Sequence, residues 1–394
     1  MAVITNIEAS QILDNRGIPT VHVDVTLEGG IKGGASVPSG TSTGSHEALE
    51  LRDGDFASFK GKGVSKAIAN VNQQIAEQVV GLDSTEQKKI DEAMIGLDAT
   101  PNKSHLGANA TLGVSLAVAV ASANDQQLSL YQYLNRISAL DVPPTLPTPM
   151  FNIINGGAHA QNNLSFQEFM IIPDHLERFN DKLAYGVKFF GQLRELLEKK
   201  GMNTMTGDEG GYAPDCKDNE EAIEIITKIG DKVHLGLDVA GQGPTNPVYW
   251  QKLVRKFAIS YIEDPLGEDN WEGWKKLTQA LKKERVLVAG DDLFVTNPER
   301  FQMGIDQKIA NALIIKPNQI GTLTETFHVV KMAIAAGYAY IISHRSGETV
   351  DSFIADLAVA IAAPLIKAGA PNSKNPERMA KYNRLVEIEQ ELQE

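Results

Sequence analysis

Apolar and polar positions alternate without a break from Val21 to Leu27, with Val21, Val23, Val25 and Leu27 set against His22, Asp24 and Thr26. A two-residue period of this kind predicts a half-buried strand. The turn sequence Asp14-Asn15-Arg16-Gly17-Ile18-Pro19 pairs it with an earlier strand over 3–13, and Gly29-Gly30 turns the chain toward a third strand near 31–37. Helical periodicity follows over 64–80, 85–94 and 109–124. Strands followed by helices predict a small α+β domain. The run Pro143-Pro144-Thr145-Leu146-Pro147-Thr148-Pro149 reads as a linker, and the division is placed at 1–135 and 136–394.

Beyond the linker the pattern changes. Short apolar runs at 235–237, 257–262, 286–289, 312–315 and 338–342 alternate with helical stretches, of which 176–200, closed by Gly201, is the clearest. Each run ends at or next to an ionisable residue: Asp238, Glu263, Asp291, Lys316 and, after Ser343, His344. Glu209 precedes the series and Lys367 follows it, in steps of 23 to 29 residues. One strand with its helix takes roughly 30 residues. The fold class is therefore α/β: a (β/α)8-type barrel over 136–394 behind the smaller α+β domain. Strand ends of such a barrel share one mouth, where active sites lie.

Composition narrows the function. The net charge of −13, from 37 basic and 50 acidic residues, argues against nucleic acid or an anionic membrane as partner. One cysteine, Cys216, excludes an internal disulfide and a cysteine metal cluster. The apolar stretch 112–123 is broken by Ser115 and Ser122 and is too short for a membrane span. Residues 1–6 show neither a basic nor an apolar leader region, so a cytoplasmic location is expected.

Asp238, Glu263 and Asp291 form a hard-oxygen set suited to magnesium. Any one alone reads better as a helix cap or surface acid; three at matching strand ends favour the metal. Lys316 emerges at the mouth either as a base or as an ion-pair partner of one of these acids. Two cations and Lys367 nearby would lower its pKa. Thr206-Gly207-Asp208-Glu209-Gly210-Gly211 surrounds an acid with glycines, and Asn155-Gly156-Gly157-Ala158-His159 does so with a histidine. Ser343-His344-Arg345-Ser346 offers an imidazole, a guanidinium and hydroxyls, which suits a phosphorylated or carboxylated substrate. Ser36-Val37-Pro38-Ser39-Gly40-Thr41-Ser42-Thr43-Gly44 lacks the lysine of a nucleotide P-loop and reads as a mobile lid or a plain surface turn.

On these residues the chain resembles enolase from end to end. The matching stretches are 13–17, 35–44, 47–55, 107–119, 152–173, 207–214, 290–298, 315–325 and 343–349. The resemblance, of the bacterial type, implies a barrel with an irregular ββαα start and the reversible dehydration of 2-phosphoglycerate to phosphoenolpyruvate. It implies Lys316 as base, with Glu209 as acid assisted by Glu168. Asp238, Glu263 and Asp291 would hold a first Mg²⁺ and Ser39 would help hold a second. His159, Gln167, Glu168, Ser343, His344, Arg345, Ser346 and Lys367 would bind substrate. Enolase-superfamily enzymes are the standard example of a Lys or His base working with Mg²⁺ at an ene-diolate. A homodimer or higher homo-oligomer is also implied. Two stretches depart from the family: the segment between Asp238 and Glu263 is short, and 371–378 replaces a shorter Arg-bearing sequence, so no role is carried over there.

Two other readings compete. A sugar-acid dehydratase or racemase of the same superfamily would share the metal triad, but not the Ser39 loop or the Arg345–Ser346 pair. A non-catalytic protein would not need every catalytic position filled by a competent residue.

Overall fold

The computed structural model describes residues 2–40, 44–230 and 233–393. The hairpin reading holds: β1 (Ile4–Leu13), β2 (Pro19–Leu27) and β3 (Lys32–Ser36) form an antiparallel sheet in that order. Val21, Val23, Val25 and Leu27 all point into the core. The helix Ala108–Asp125 lies across this sheet. Its small residues allow a very close approach: a Cβ added at Gly33 would stand 2.1 Å from the Ala121 nitrogen.

Eight strands close the barrel: β4 (Thr148–Asn155), β5 (Glu168–Ile172), β6 (His234–Asp238), β7 (Ile259–Glu263), β8 (Leu287–Gly290), β9 (Ala312–Ile315), β10 (Ala339–Ser343) and β11 (Leu365–Lys367). The apolar periodicity alone predicted a parallel barrel. The structure differs at β5, which runs antiparallel to both β4 and β6. Two helices, Phe179–Lys199 and Asn219–Thr227, then precede β6, giving the ββαα start. Met150, Met170, Tyr261, Ala289, Ile314 and Ile341 belong to a separate apolar cluster that fills the barrel. Chemistry is thereby confined to its mouth.

Thr148 and Pro149, expected as linker, open β4 instead. The helix Leu130–Ser138 has no counterpart in the sequence reading and passes through the position chosen as the domain division. Of the proposed lid, Thr41, Ser42 and Thr43 lie outside the described residues. Among the described residues, no helix is long and apolar enough to cross a membrane.

Polar ties fix the N-terminal unit to the segment that follows Lys316. Asp91 Oδ2 accepts from Thr324 N (3.0 Å) and Thr324 Oγ1 (2.6 Å). Ser115 Oγ accepts from Leu323 N (3.0 Å), and Lys103 Nζ donates to Glu325 (2.7 Å). Asp91 is wholly buried, and that burial raises its carboxyl to about 6.

Candidate active site

The strand-end series converges. Asp238, Glu263 and Lys367 close β6, β7 and β11; Asp291, Lys316 and His344 come one residue after β8, β9 and β10. Glu209 is the exception. It sits on a turn between Thr206 and Tyr212, which bridge to each other while Tyr212 also bridges to Ile154. The flanking glycines are needed for closeness: a Cβ on Gly207 would lie 2.4 Å from the His159 carbonyl. Glu168 enters from the start of β5, because that strand is reversed.

One cavity of about 460 Å³, mouth included, is lined by His159, Gln167, Glu168, Glu209, Asp238, Asp291, Lys316, Ser343, His344, Arg345, Ser346 and Lys367. Two predicted residues do not line it. Glu263 lies beneath, fully buried, with both oxygens held by Lys367 Nζ (2.8 and 2.9 Å) and one also by the Tyr261 hydroxyl (2.7 Å). Ser39 Oγ is engaged by Arg52 (2.7 Å), Arg16 (3.3 Å) and Glu50 (3.2 Å).

Lysines bridge the carboxylates. Lys367 Nζ also reaches Asp238 Oδ2 and Glu168 Oε2, each at 3.2 Å. Burial would lower this ammonium, but Glu168, Glu263 and Asp238 raise it well above its ordinary value. Lys316 Nζ donates to Asp291, whose other oxygen accepts from Gln319 (3.0 Å). Burial favours a neutral Lys316, as do Arg345 and Lys367, yet Asp291 outweighs them and its pKa is raised. The depressed lysine expected from the sequence is thus opposed by Asp291, which is itself brought down to about 2, chiefly by Lys316 acting against burial.

On the far side, Glu168 and Glu209 flank His159 Nδ1 at 3.8 and 3.7 Å. Burial, then the charge of Glu209, pushes Glu168 well above the carboxylate range. Burial would lift Glu209 too, but His344, by its charge when protonated and by its N–H when neutral, and the charge of His159 act to hold it well below. Asn152 donates to it at 3.0 Å. Both His159 ring nitrogens are buried without a hydrogen-bond partner among the described residues. A lone loop histidine ordinarily reads as solvated; this one is buried.

The sequence reading passed over Asp264, Asp292 and Arg378. Asp264 accepts from the backbone N–H groups of Asp291 (3.0 Å) and Asp292 (2.8 Å) and so fixes the turn after β8. The doublets Glu263-Asp264 and Asp291-Asp292 were the available signal. Arg378, in the first turn of the helix Pro376–Glu391, is fully buried beneath the 344–346 turn. An arginine near a helix start ordinarily reads as surface, so nothing in the sequence marked it.

The acids fit a metal. The acids that come together here are Asp264, Asp291 and Asp292, whose ligand oxygens lie within 4.8 Å of one another; this cluster shares only Asp291 with the predicted triad Asp238, Glu263 and Asp291. Burial and neighbouring carboxylates raise Asp264 well above its usual range, Asp292 to about 7 and Glu263 to about 8. An all-oxygen set short of counter-charge suits a hard divalent cation.

A barrel whose mouth gathers carboxylates, a buried lysine, a half-buried lysine and an arginine is equipped for the acid–base chemistry that a lyase-type enzyme needs. Residues 143–243 and 245–394 match the family model described as enolase, C-terminal TIM barrel domain, and residues 4–134 match enolase, N-terminal domain. The chain belongs to the enolase family, whose members typically use Mg²⁺.

Proposed function

We propose that this protein catalyses the reversible Mg²⁺-dependent dehydration of 2-phosphoglycerate to phosphoenolpyruvate, the enolase step of glycolysis, in the cytoplasm and as a homodimer or larger homo-oligomer. Residues 1–135 act as the capping unit of the barrel. One observation carries the reading: β9, which leads to Lys316, stands four strands from β5, which bears Glu168, in the eight-stranded ring. Lys316 and the carboxyl of Glu168, which is pushed toward its protonated form, therefore face each other across one cavity.

Lys316 removes the C2 proton, and the C–H electron pair moves into the adjoining carboxylate. That pair then returns to form the C2–C3 double bond as the C3–O bond breaks. Hydroxide is a poor leaving group, so it takes a proton from the Glu168–Glu209 pair and departs as water. Asp238, Glu263 and Asp291 would hold the first magnesium and Ser39 would help hold the second. When bound, the metal supplies positive charge against the substrate carboxylate and at Asp291. Arg345, held by Glu47 at 3.0 and 3.1 Å and by Asn318 at 2.9 Å, grips the phosphate together with Ser346. His159, Gln167, Ser343, His344 and Lys367 line the substrate.

The test is the ultraviolet absorbance of phosphoenolpyruvate on adding 2-phosphoglycerate, with magnesium and with EDTA. A rise only with magnesium is expected. No rise from folded protein, with turnover of unphosphorylated sugar acids instead, would overturn the assignment.

A further inference from the structure

Arg378 has no exposed surface. Its stem passes over Gly369, where an added Cβ would come within 3.0 Å of the Arg378 Cδ. The guanidinium is then fixed by three backbone carbonyls. Nη1 donates to Arg345 O (2.6 Å), and Nη2 donates to Ser346 O (2.7 Å) and Asp208 O (3.3 Å). Nε faces Glu377 at 3.4 Å. With so many anchors, the aim of the remaining N–H is not adjustable. It points at His344 Nδ1, 2.6 Å away.

A guanidinium offers donors only and stays protonated. His344 Nδ1 must therefore accept. A proton there would set two buried N–H groups against each other, so the ring proton belongs on Nε2. That nitrogen lies 3.3 Å from Glu209 Oε2, within ion-pair distance but outside hydrogen-bond geometry, and is otherwise buried without a partner among the described residues. We propose that Arg378 is a positioning residue that locks His344 as a neutral imidazole with its proton on Nε2, facing Glu209. His344 then presents Glu209 with an N–H of fixed direction and does not act as a competing proton carrier. Arg378 reaches both ends of this pair, since Asp208 adjoins Glu209 in the chain.

The charges around His344 are accounted for. Glu209 and, further off, Glu348 favour an imidazolium; burial and Arg378 oppose it. Glu348 is occupied by Lys381 Nζ (2.7 Å) and by Arg345 N (3.0 Å). The balance falls on the neutral side, with the imidazole brought down to about 4.

The relevance to catalysis rests on the enolase reading, but the lock itself can be read without substrate. Full-length protein carrying ¹⁵N-histidine, with magnesium present, would be followed by NMR from pH 5 to 8. The His344 signals are those missing from His344→Gln. The expected wild-type spectrum shows a protonated Nε2 and a bare Nδ1, unchanged across the range. A His344 that titrates there, or carries its proton on Nδ1, overturns the proposal. In Arg378→Met the lock should fail: His344 mixes tautomers or titrates, and kcat falls about 10–100-fold while KM changes little. An unaltered His344 spectrum in that variant also overturns it. Should Arg378→Met not fold, the wild-type spectrum still decides. Protein that shows the locked imidazole but does not turn over 2-phosphoglycerate refutes the function and leaves the lock standing.

Discussion

Glu168 and Glu209 flank the same histidine nitrogen yet hold protons oppositely: Glu168 is driven well above the carboxylate range and Glu209 well below it. Two acids pushed apart in this way divide acid and base roles between them. Glu168→Gln copies the neutral shape but has no proton to give. Dehydration should fall roughly 10²–10⁴-fold. Exchange of the substrate C2 proton with deuterated solvent, which needs Lys316, should persist. Equal loss of both reactions would move Glu168 from proton transfer to substrate binding.

Lys316→Ala should abolish that exchange as well as turnover, with the circular dichroism spectrum unchanged. Exchange that survives in this variant would remove Lys316 as the base.

Asp291→Asn takes a charge from the acid cluster and from Lys316 together. Changes one layer outside a metal site commonly cost 10–100-fold in affinity, and loss of a direct ligand should cost at least about that much. Calorimetric titration with Mg²⁺ reads it directly, and an unchanged isotherm would strike Asp291 from the ligand set.

Asp91 links stability to pH. Its carboxyl titrates near 3.8 when unperturbed and at about 6 in the fold. Between those values the folded chain keeps a proton that the unfolded chain has lost, so stability falls as pH rises through the window. The loss is about 3 kcal/mol and complete above it. Asp91→Asn should lack this fall. Urea midpoints of both proteins at pH 4.5 and 7 capture about 2 kcal/mol of it; parallel pH dependence would show that Asp91 ionises freely in the fold.

Gly33→Ala should lower thermal stability, because the new methyl meets helix backbone that cannot swing aside. Overpacking of this kind costs about 1–3 kcal/mol. An unchanged melting temperature would mean that the helix Ala108–Asp125 can rise off the sheet without cost.

The barrel residues were legible because strand ends repeat at the length of a β/α unit, which brings Asp238, Asp291, Lys316, His344 and Lys367 to one rim. Glu209 kept the interval but not the reason: it rides a glycine-flanked turn outside the strand series. Periodicity fixes which face a side chain takes, not which way its strand runs, so the reversal of β5 was invisible to it. Depth was hidden too. Glu263 and Asp238 share a strand-end register, yet Lys367 covers Glu263 and leaves Asp238 at the cavity. Arg378 could be recognised only once the last helix had been docked under the 344–346 turn.

The reversed strand β5 places its first residue half a ring from the end of β9. On the proposed dehydration, this placement favours departure of hydrogen and hydroxyl from opposite faces of the substrate. Substrate carrying one deuterium of known configuration at C3 should then yield the geometric isomer of the labelled enol phosphate that anti elimination gives, an outcome traced to strand direction.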